Sequence, residues 1–400
     1  MAYQNVGTPR FIIDWLQWWK SLGLIRGHQI WNARAIEPIE TFTSENEGIV
    51  VDNIIGINPT SQTIATDIED DADGFNYNIT GTSNWQLPRP GSSNNDPVFP
   101  IEEVNIVGLL GHNFGSFPGL DFTFNFHDGE NIENNYINLT NEVTNPISIN
   151  ADPQQQGKNM KFDYNGFTLQ SADGANNADS PLVGPGSFQP NIRLDPANAE
   201  DYYTSLFKLG SLLMGKTYEL PHSPELSLTM TNEMDGISRS RTKGGSDLVN
   251  YRYTKSPLWG DLAPWELHDP VNPLQDQNLS RIGRRSWDLS FNYLSASDLN
   301  PVTEGVSKKI TDPDAFDNEA GNPIWTSQSG TTSNILQSDD FYSQVIHKTN
   351  GGALPFIFQP DSNNNNPDQF AICKFDMNSL VYEQISKGIY NVNLKIREVW

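Results

Sequence analysis

Cysteine is nearly missing from this 400-residue chain, where Cys373 stands alone. One thiol excludes intrachain disulfides and clustered-cysteine zinc sites, so stability must come from packing or assembly. Cations are scarce too: 25 Lys plus Arg face 49 Asp plus Glu, for a formal net charge of −24. A chain of that sign repels nucleic acid and anionic lipid, so no specific nucleic-acid binding is expected. No run of about 18 apolar residues occurs, so no spanning helix and no membrane insertion are expected. Long Leu/Ala/Glu/Lys helical runs are also few. The six histidines (His28, His112, His127, His222, His268 and His347) form no metal-protease helix, and no G-x-S-x-G elbow exists.

What the chain has in quantity is 31 Gly, 26 Pro and 11% aromatics, a composition that suits many turns joined to aromatic-bearing strands. The expected class is mainly β, with one or two short helices. Four hundred residues exceed one ordinary core and suggest two or three domains.

The N-terminal stretch "FIIDWLQWWKSLGL" is apolar, but Asp14 and Lys20 interrupt it and no small-residue cleavage site follows, which argues against a signal peptide. Its spacing predicts a helix with Thr8 as N-cap, Pro9 in the first turn and Gly23 as stop. Phe11, Trp15, Trp18 and Leu22 fall on one stripe, widened by Ile12, Leu16 and Trp19. Such a short helix is marginal alone, so its tryptophans need a cover. That cover is its own domain, a partner subunit or a membrane surface. Phe11, Trp15, Trp18, Trp19 and Leu22 are therefore the candidate partner interface on an arm spanning residues 1–45.

From residue 46 to 222 the expected unit is a β-sandwich. Strands are expected over 104–114, 120–129 and 159–170, with Phe122, Phe124 and Phe126 on one face and exposed loops over 82–97 and 171–191. Residues 223–400 form a second sandwich-like unit. Leu226, Leu228 and Met230 alternate before an Asp235-Gly236 turn, and Trp287, Leu289, Phe291 and Tyr293 face one way in "RRSWDLSFNYL". A helix is expected after a Ser338 or Asp339 cap, with Phe341, Val345 and Ile346 on its apolar face and Gly351 as stop. "ALPFIF", "FAICKF" and "GIYNVNLKIREV" close the chain as strands, the last with Tyr390, Val392, Leu394 and Ile396 aligned. Residues 300–335 are a long polar loop insertion, and loops of that length are usually functional or held by a partner.

"GSLLMGKT", from Gly210 to Thr217, fits the phosphate-loop pattern, and that pattern makes a structural demand. A phosphate loop must open a helix, whereas Pro221 and Pro224 follow closely and forbid one. Leu212, Leu213 and Met214 suit a strand better than a tight loop. His112-Asn113 ends a strand and is expected to cap a turn. Glu69, Asp71, Asp73 and Gly74 resemble half of a calcium loop, but Thr80 stands where its bidentate Glu belongs, so a solvated acidic turn competes with a weak calcium site. No cofactor is expected. Trp85 and Trp325, beside polar loops, are candidate sugar contacts.

The succession "VNIVGLLGHNF", "LFKLGSLLMGKTYEL", "ISRSRTKGG", "RRSWDLSFNYLSASDL", "GGALPFIFQPD" and a final "IREV" resembles virion structural proteins of tailed bacteriophages, in particular minor tail or tail-tip components. The resemblance covers about residues 100–400 and rests on strand and turn patterns, without reactive side chains. It implies a jelly-roll-like first domain containing "GLLGHN", to which "KLGSLLMG" returns, with Gly210 and Gly215 at a bulge and a turn. It also implies a non-enzymatic tail or tail-tip protein, made in the host cytoplasm and carried on the virion, that assembles with itself and with other virion proteins. The alternative expectation is a virion-borne or secreted module binding host surface glycan. A glycan lyase or hydrolase is a third, for which no acid and base can be chosen among 49 carboxylates.

Overall fold

The computed structural model describes residues 5–22, 28–32, 57, 63–65, 76–82, 105–116, 120–127, 135–139, 147–148, 164–175, 187–194, 207–234, 236–251, 265–268, 283–301, 335 and 338–399. Trp85, Trp325, Asp71 and Asp73 lie outside them, as do nearly all of the 300–335 insertion and most of the loop expected over 82–97.

The chain is mainly β and its sheets are antiparallel almost throughout. In chain order the strands are β1 (Arg10–Asp14), β2 (His28–Asn32), β3 (Thr63–Ala65), β4 (Asn76–Thr82), β5 (Ile106–His112), β6 (Leu120–His127), β7 (Asn135–Leu139), β8 (Ile147–Ser148), β9 (Gly166–Ala175) and β10 (Ser187–Leu194). They continue as β11 (Phe207–Leu209), β12 (Ser211–Glu219), β13 (Thr229–Glu233), β14 (Ile237–Arg241), β15 (Asp247–Tyr251), β16 (Arg284–Ser295), β17 (Phe356–Gln359), β18 (Ala371–Phe375), β19 (Tyr382–Ser386) and β20 (Ile389–Glu398). Among the described residues, two short α-helices, α1 (Trp15–Ser21) and α2 (Ala296–Leu299), and a π-type helix Tyr342–His347 accompany them.

One 16-stranded sheet runs β13-β16-β20-β18-β17-β1-β12-β5-β9-β7-β6-β10-β4-β2, with β19 on β20 and β8 on β9. β1 sits between a strand from the middle of the sequence and one from its C-terminal part. Its residues pair with β12 on one side (Ile12 with Thr217) and β17 on the other (Ile12 with Ile357). The helix expected from Thr8 to Leu22 is therefore corrected: Phe11 to Ile13 are strand, and α1 starts only at Trp15, capped by Asp14, whose Oδ1 accepts from Leu16 N at 3.1 Å. The physical reason is that a strand covered on both faces carries apolar residues continuously, a pattern that periodicity alone does not separate from a buried helix.

Both faces of β1 are buried. Ile12 joins a core with Ile106, Leu110, Phe167, Leu169, Leu213, Ile357, Phe370 and Ile372. Phe11, on the other face, lies 5.4 Å from Phe358, 5.6 Å from Phe356 and 5.7 Å from Phe341, so the π-type helix covers this side. Phe341, Val345 and Ile346 of that helix are buried as expected, but its first turn is held by Asp340, whose Oδ1 accepts from Ser343 N at 2.9 Å, instead of Ser338 or Asp339. Gly351, at φ 70°, ends it.

In β16, Trp287, Leu289 and Phe291 face the core, but Tyr293 is 74% exposed. A bulge between Phe291 and Leu294, with Tyr293 at φ 63°, hands the next inward position to Leu294. Val392, Leu394 and Ile396 of β20 are buried as expected, and Tyr390 is half-buried. Two further expectations fail. Residues 171–175 and 187–191, expected as loop, belong to β9 and β10. Leu226, which precedes β13, is fully exposed, and Met230 is exposed on β13, the outer of the described strands of the sheet.

Candidate functional site

The phosphate-loop match resolves into strand. Gly210 bends the chain between β11 and β12, its N–H donating to Leu110 O at 3.0 Å, and residues 211–219 continue as β12 against β1 and β5. Gly215 lies inside the strand and not at a turn. A Cβ there would stand 1.8 Å from Ile13 O, so glycine is required by the approach of β1 where it passes into α1.

Lys216, the residue that would touch phosphate, instead lines a pocket of ≈ 310 Å³ with Asn105, Thr217, Tyr218, Glu219, Pro221, Asp298 and Asp339. Its Nζ is 3.2 Å from Asp339 Oδ1. Glu219 is paired with Arg10 at 2.6 Å on the β1 side. Asp298 accepts from Ser295 N at 2.8 Å in the capping box of α2, and its carbonyl accepts from the Tyr218 hydroxyl at 3.1 Å. Asn105 bridges to Thr217 through Oδ1 and Nδ2, at 2.8 and 3.0 Å. Burial raises the Tyr218 phenol well above its ordinary value, and Asp339, Asp340 and Asp298 raise it further. With Glu219 paired to Arg10 and Asp339 to Lys216, Asp298 leaves the pocket an excess of one negative charge, which disfavours phosphate. Its chemistry suits a basic side chain.

Behind β1 lies a buried polar cluster. Burial pushes the Asp14 carboxyl up to about 7, against backbone N–H bonds from Met214, Leu16 and Gln17 that lower it. Lys348, 1% exposed, donates to Gln344 Oε1 at 2.7 Å, and its Nζ stands 4.6 Å from the Trp15 ring centroid and 5.9 Å from that of Trp18. The two tryptophans therefore cover a desolvated ammonium, an arrangement worth about 2 kcal/mol when water is excluded. Sequence reasoning missed Lys348, since nothing local marks a lysine as buried.

This placement corrects the candidate interface. Phe11, Trp15 and Trp18 are spent inside the chain, and only Leu22 of that set is exposed; the Trp19 side chain lies outside the described residues. His112 takes the expected structural role: Phe114 N–H donates to Nδ1 at 3.2 Å and Nε2 is 3.0 Å from Thr168 Oγ1. Burial lowers its pKa to about 3, so it stays neutral. Among the described residues no cluster of three or more His, Cys, Asp or Glu is arranged to hold a metal, and no helix is long and apolar enough to cross a membrane.

Comparison with family models, with curated proteins and with solved structures finds no match.

Beyond β13 the chain leaves the large sheet. β13 pairs with β16 at the end of the large sheet, and the chain then continues into a separate two-stranded sheet of β14 and β15. Residues 238–250 are exposed without exception. Leu248 at 58% and Val249 at 50% are among the most exposed aliphatics, and Arg239, Arg241 and Lys243 give this stretch a basic character. The turn is closed by Thr242 and Ser246, with Gly245 at φ 87° supplying the left-handed residue.

Proposed function

We propose that the chain is a non-enzymatic structural component of a tailed-phage virion, belonging to the tail or its tip and assembling with copies of itself and neighbouring virion proteins. The observation that carries this reading is the β14–β15 projection. A two-stranded hairpin with both faces in water is marginal at best, and one that also exposes Leu248 and Val249 has little use in a solitary monomer. A neighbour that covers it supplies both order and binding energy. The long polar insertion at 300–335 suits the same role.

Within this reading residues 46–222, which hold β3 to β12, are a jelly-roll-like unit and residues 223–400 a second sandwich-like unit. β1 is their shared strand, which replaces the idea of a free N-terminal arm. Immunoelectron microscopy of purified particles with an antibody to this chain tests the proposal. Regular labelling at the tail is expected; particles that lack the polypeptide contradict it.

A further inference from the structure

The hairpin has a counterpart on the same molecule. We infer that the β14–β15 hairpin of one copy docks its basic face against the acidic pocket of Glu219, Asp298 and Asp339 on a second copy. The inference deepens the assembly reading above by naming the surface and the occupant.

Antiparallel register puts Arg239 opposite Val249 and Arg241 opposite Asp247, and directly opposed residues share a face. Ile237, Arg239, Arg241, Asp247 and Val249 therefore share one strip, apolar and net cationic, with Lys243 at the tip. Arg241 Nε is 3.0 Å from Asp247 Oδ1, but both side chains are largely exposed, at 75% and 62%. Such an exposed pair contributes little, so Arg241 can leave Asp247 for another carboxylate at small cost.

The choice of partner follows from charge. A chain of net charge −24 repels its copies over most surface pairings, and contact between copies is favoured where one side presents cations. Residues 238–250 bring three cations and one anion, and the pocket brings three carboxylates against Lys216 and the Arg10 paired with Glu219, an excess of one negative charge. A volume of ≈ 310 Å³ admits long side chains and not a whole strand, so Arg241 or Lys243 enters while Val249 and Ile237 lie on the rim.

Hairpin and pocket are different surfaces, so the contact is head-to-tail. Repeated, it closes into a ring or extends into a helical stack, instead of stopping at a two-fold dimer.

Light scattering of the full chain at low and high salt tests this. The wild type is expected to form species larger than dimers that weaken with salt. Arg239→Glu with Arg241→Glu, and separately Asp339→Lys, should each raise the dissociation constant at least about tenfold while leaving circular dichroism unchanged. Combining all three substitutions in one chain should restore assembly. A monomeric wild type, a two-fold dimer indifferent to Asp339→Lys, or no restoration in the combined variant overturns the inference. Particles that contain the chain even though it is monomeric in solution would overturn the docking alone and leave the virion reading standing.

Discussion

β1 (RFIID) and β14 (ISRSR) are both five residues long, and each pairs in antiparallel register, yet their surroundings are opposite. β1 has a strand on either side and apolar layers over both faces; among the described residues β14 pairs with β15 alone, and its Ser238 to Arg241 are exposed. The first is the kind of element a chain uses to hold itself together. The second is the kind it uses to hold something else. Hydrophobic burial explains the contrast: Phe11, Ile12 and Ile13 remove nearly their whole side chains from water, whereas Ser238, Arg239, Ser240 and Arg241 stay exposed.

If that contrast is right, damage around β1 should be structural and damage in the hairpin should not. The largest effect is expected from Gly215→Val, whose Cβ must occupy the space of Ile13 O. β1 cannot then pair with β12, and a cooperative thermal transition in circular dichroism should be lost. Trp15→Ala should follow, costing about 5 kcal/mol by chemical denaturation, since it opens a large cavity and uncovers Lys348.

The Asp14 carboxyl gives a pH dependence of definite sign. Its folded-state pKa, about 7, lies above the value of 3.8 for an exposed carboxyl. The folded protein binds this proton more tightly than the unfolded chain, so stability falls as pH rises from about 4 to about 7 and stays at the lower level above that. Complete titration corresponds to at most about 4 kcal/mol. Denaturant midpoints at pH values on either side of this window should differ for the wild type, and Asp14→Asn should flatten the difference.

Farther from β1, Glu398 accepts from Arg285 at three nitrogens, with distances of 2.9, 3.0 and 3.1 Å, in a buried pair joining β16 to β20. Glu398→Gln leaves the guanidinium without its counter-charge and should cost about 3 kcal/mol in the same denaturation assay. At the small end, Leu248→Ser and Val249→Ser should shift the stability of the dilute protein by no more than about 0.5 kcal/mol. Equal destabilisation by these and by Trp15→Ala would erase the distinction.

The sequence made the strands legible where one face is dry and the other wet. "RRSWDLSFNYL" and "GIYNVNLKIREV" alternate cleanly, and their inward positions are Trp287, Leu289, Phe291, Val392, Leu394 and Ile396 as expected. Alternation fails at Tyr293 because a bulge inserts one residue, and no local signal announces it. It fails in "FIID" because burial on both faces removes the alternation altogether. Of the candidate interface, Phe11, Trp15 and Trp18 are buried within the chain, Phe11 for that same reason. Of the functional surfaces, the prolines after Lys216 correctly excluded a phosphate loop, but the acidic pocket it lines draws on β12, α2 and Asp339, far apart in sequence. The hairpin turn at "TKGGS" is visible in the sequence. Its isolation is not, since that depends on what fails to pack against it.

Hydrogen exchange of the full chain at low and at high protein concentration probes both regions in one experiment. The amides of β1 should exchange only through global unfolding at either concentration, and those of β14 and β15 should exchange fast when dilute and become protected as copies associate. A hairpin already protected in the dilute monomer, or a β1 that opens before the rest of the sheet, would contradict the account.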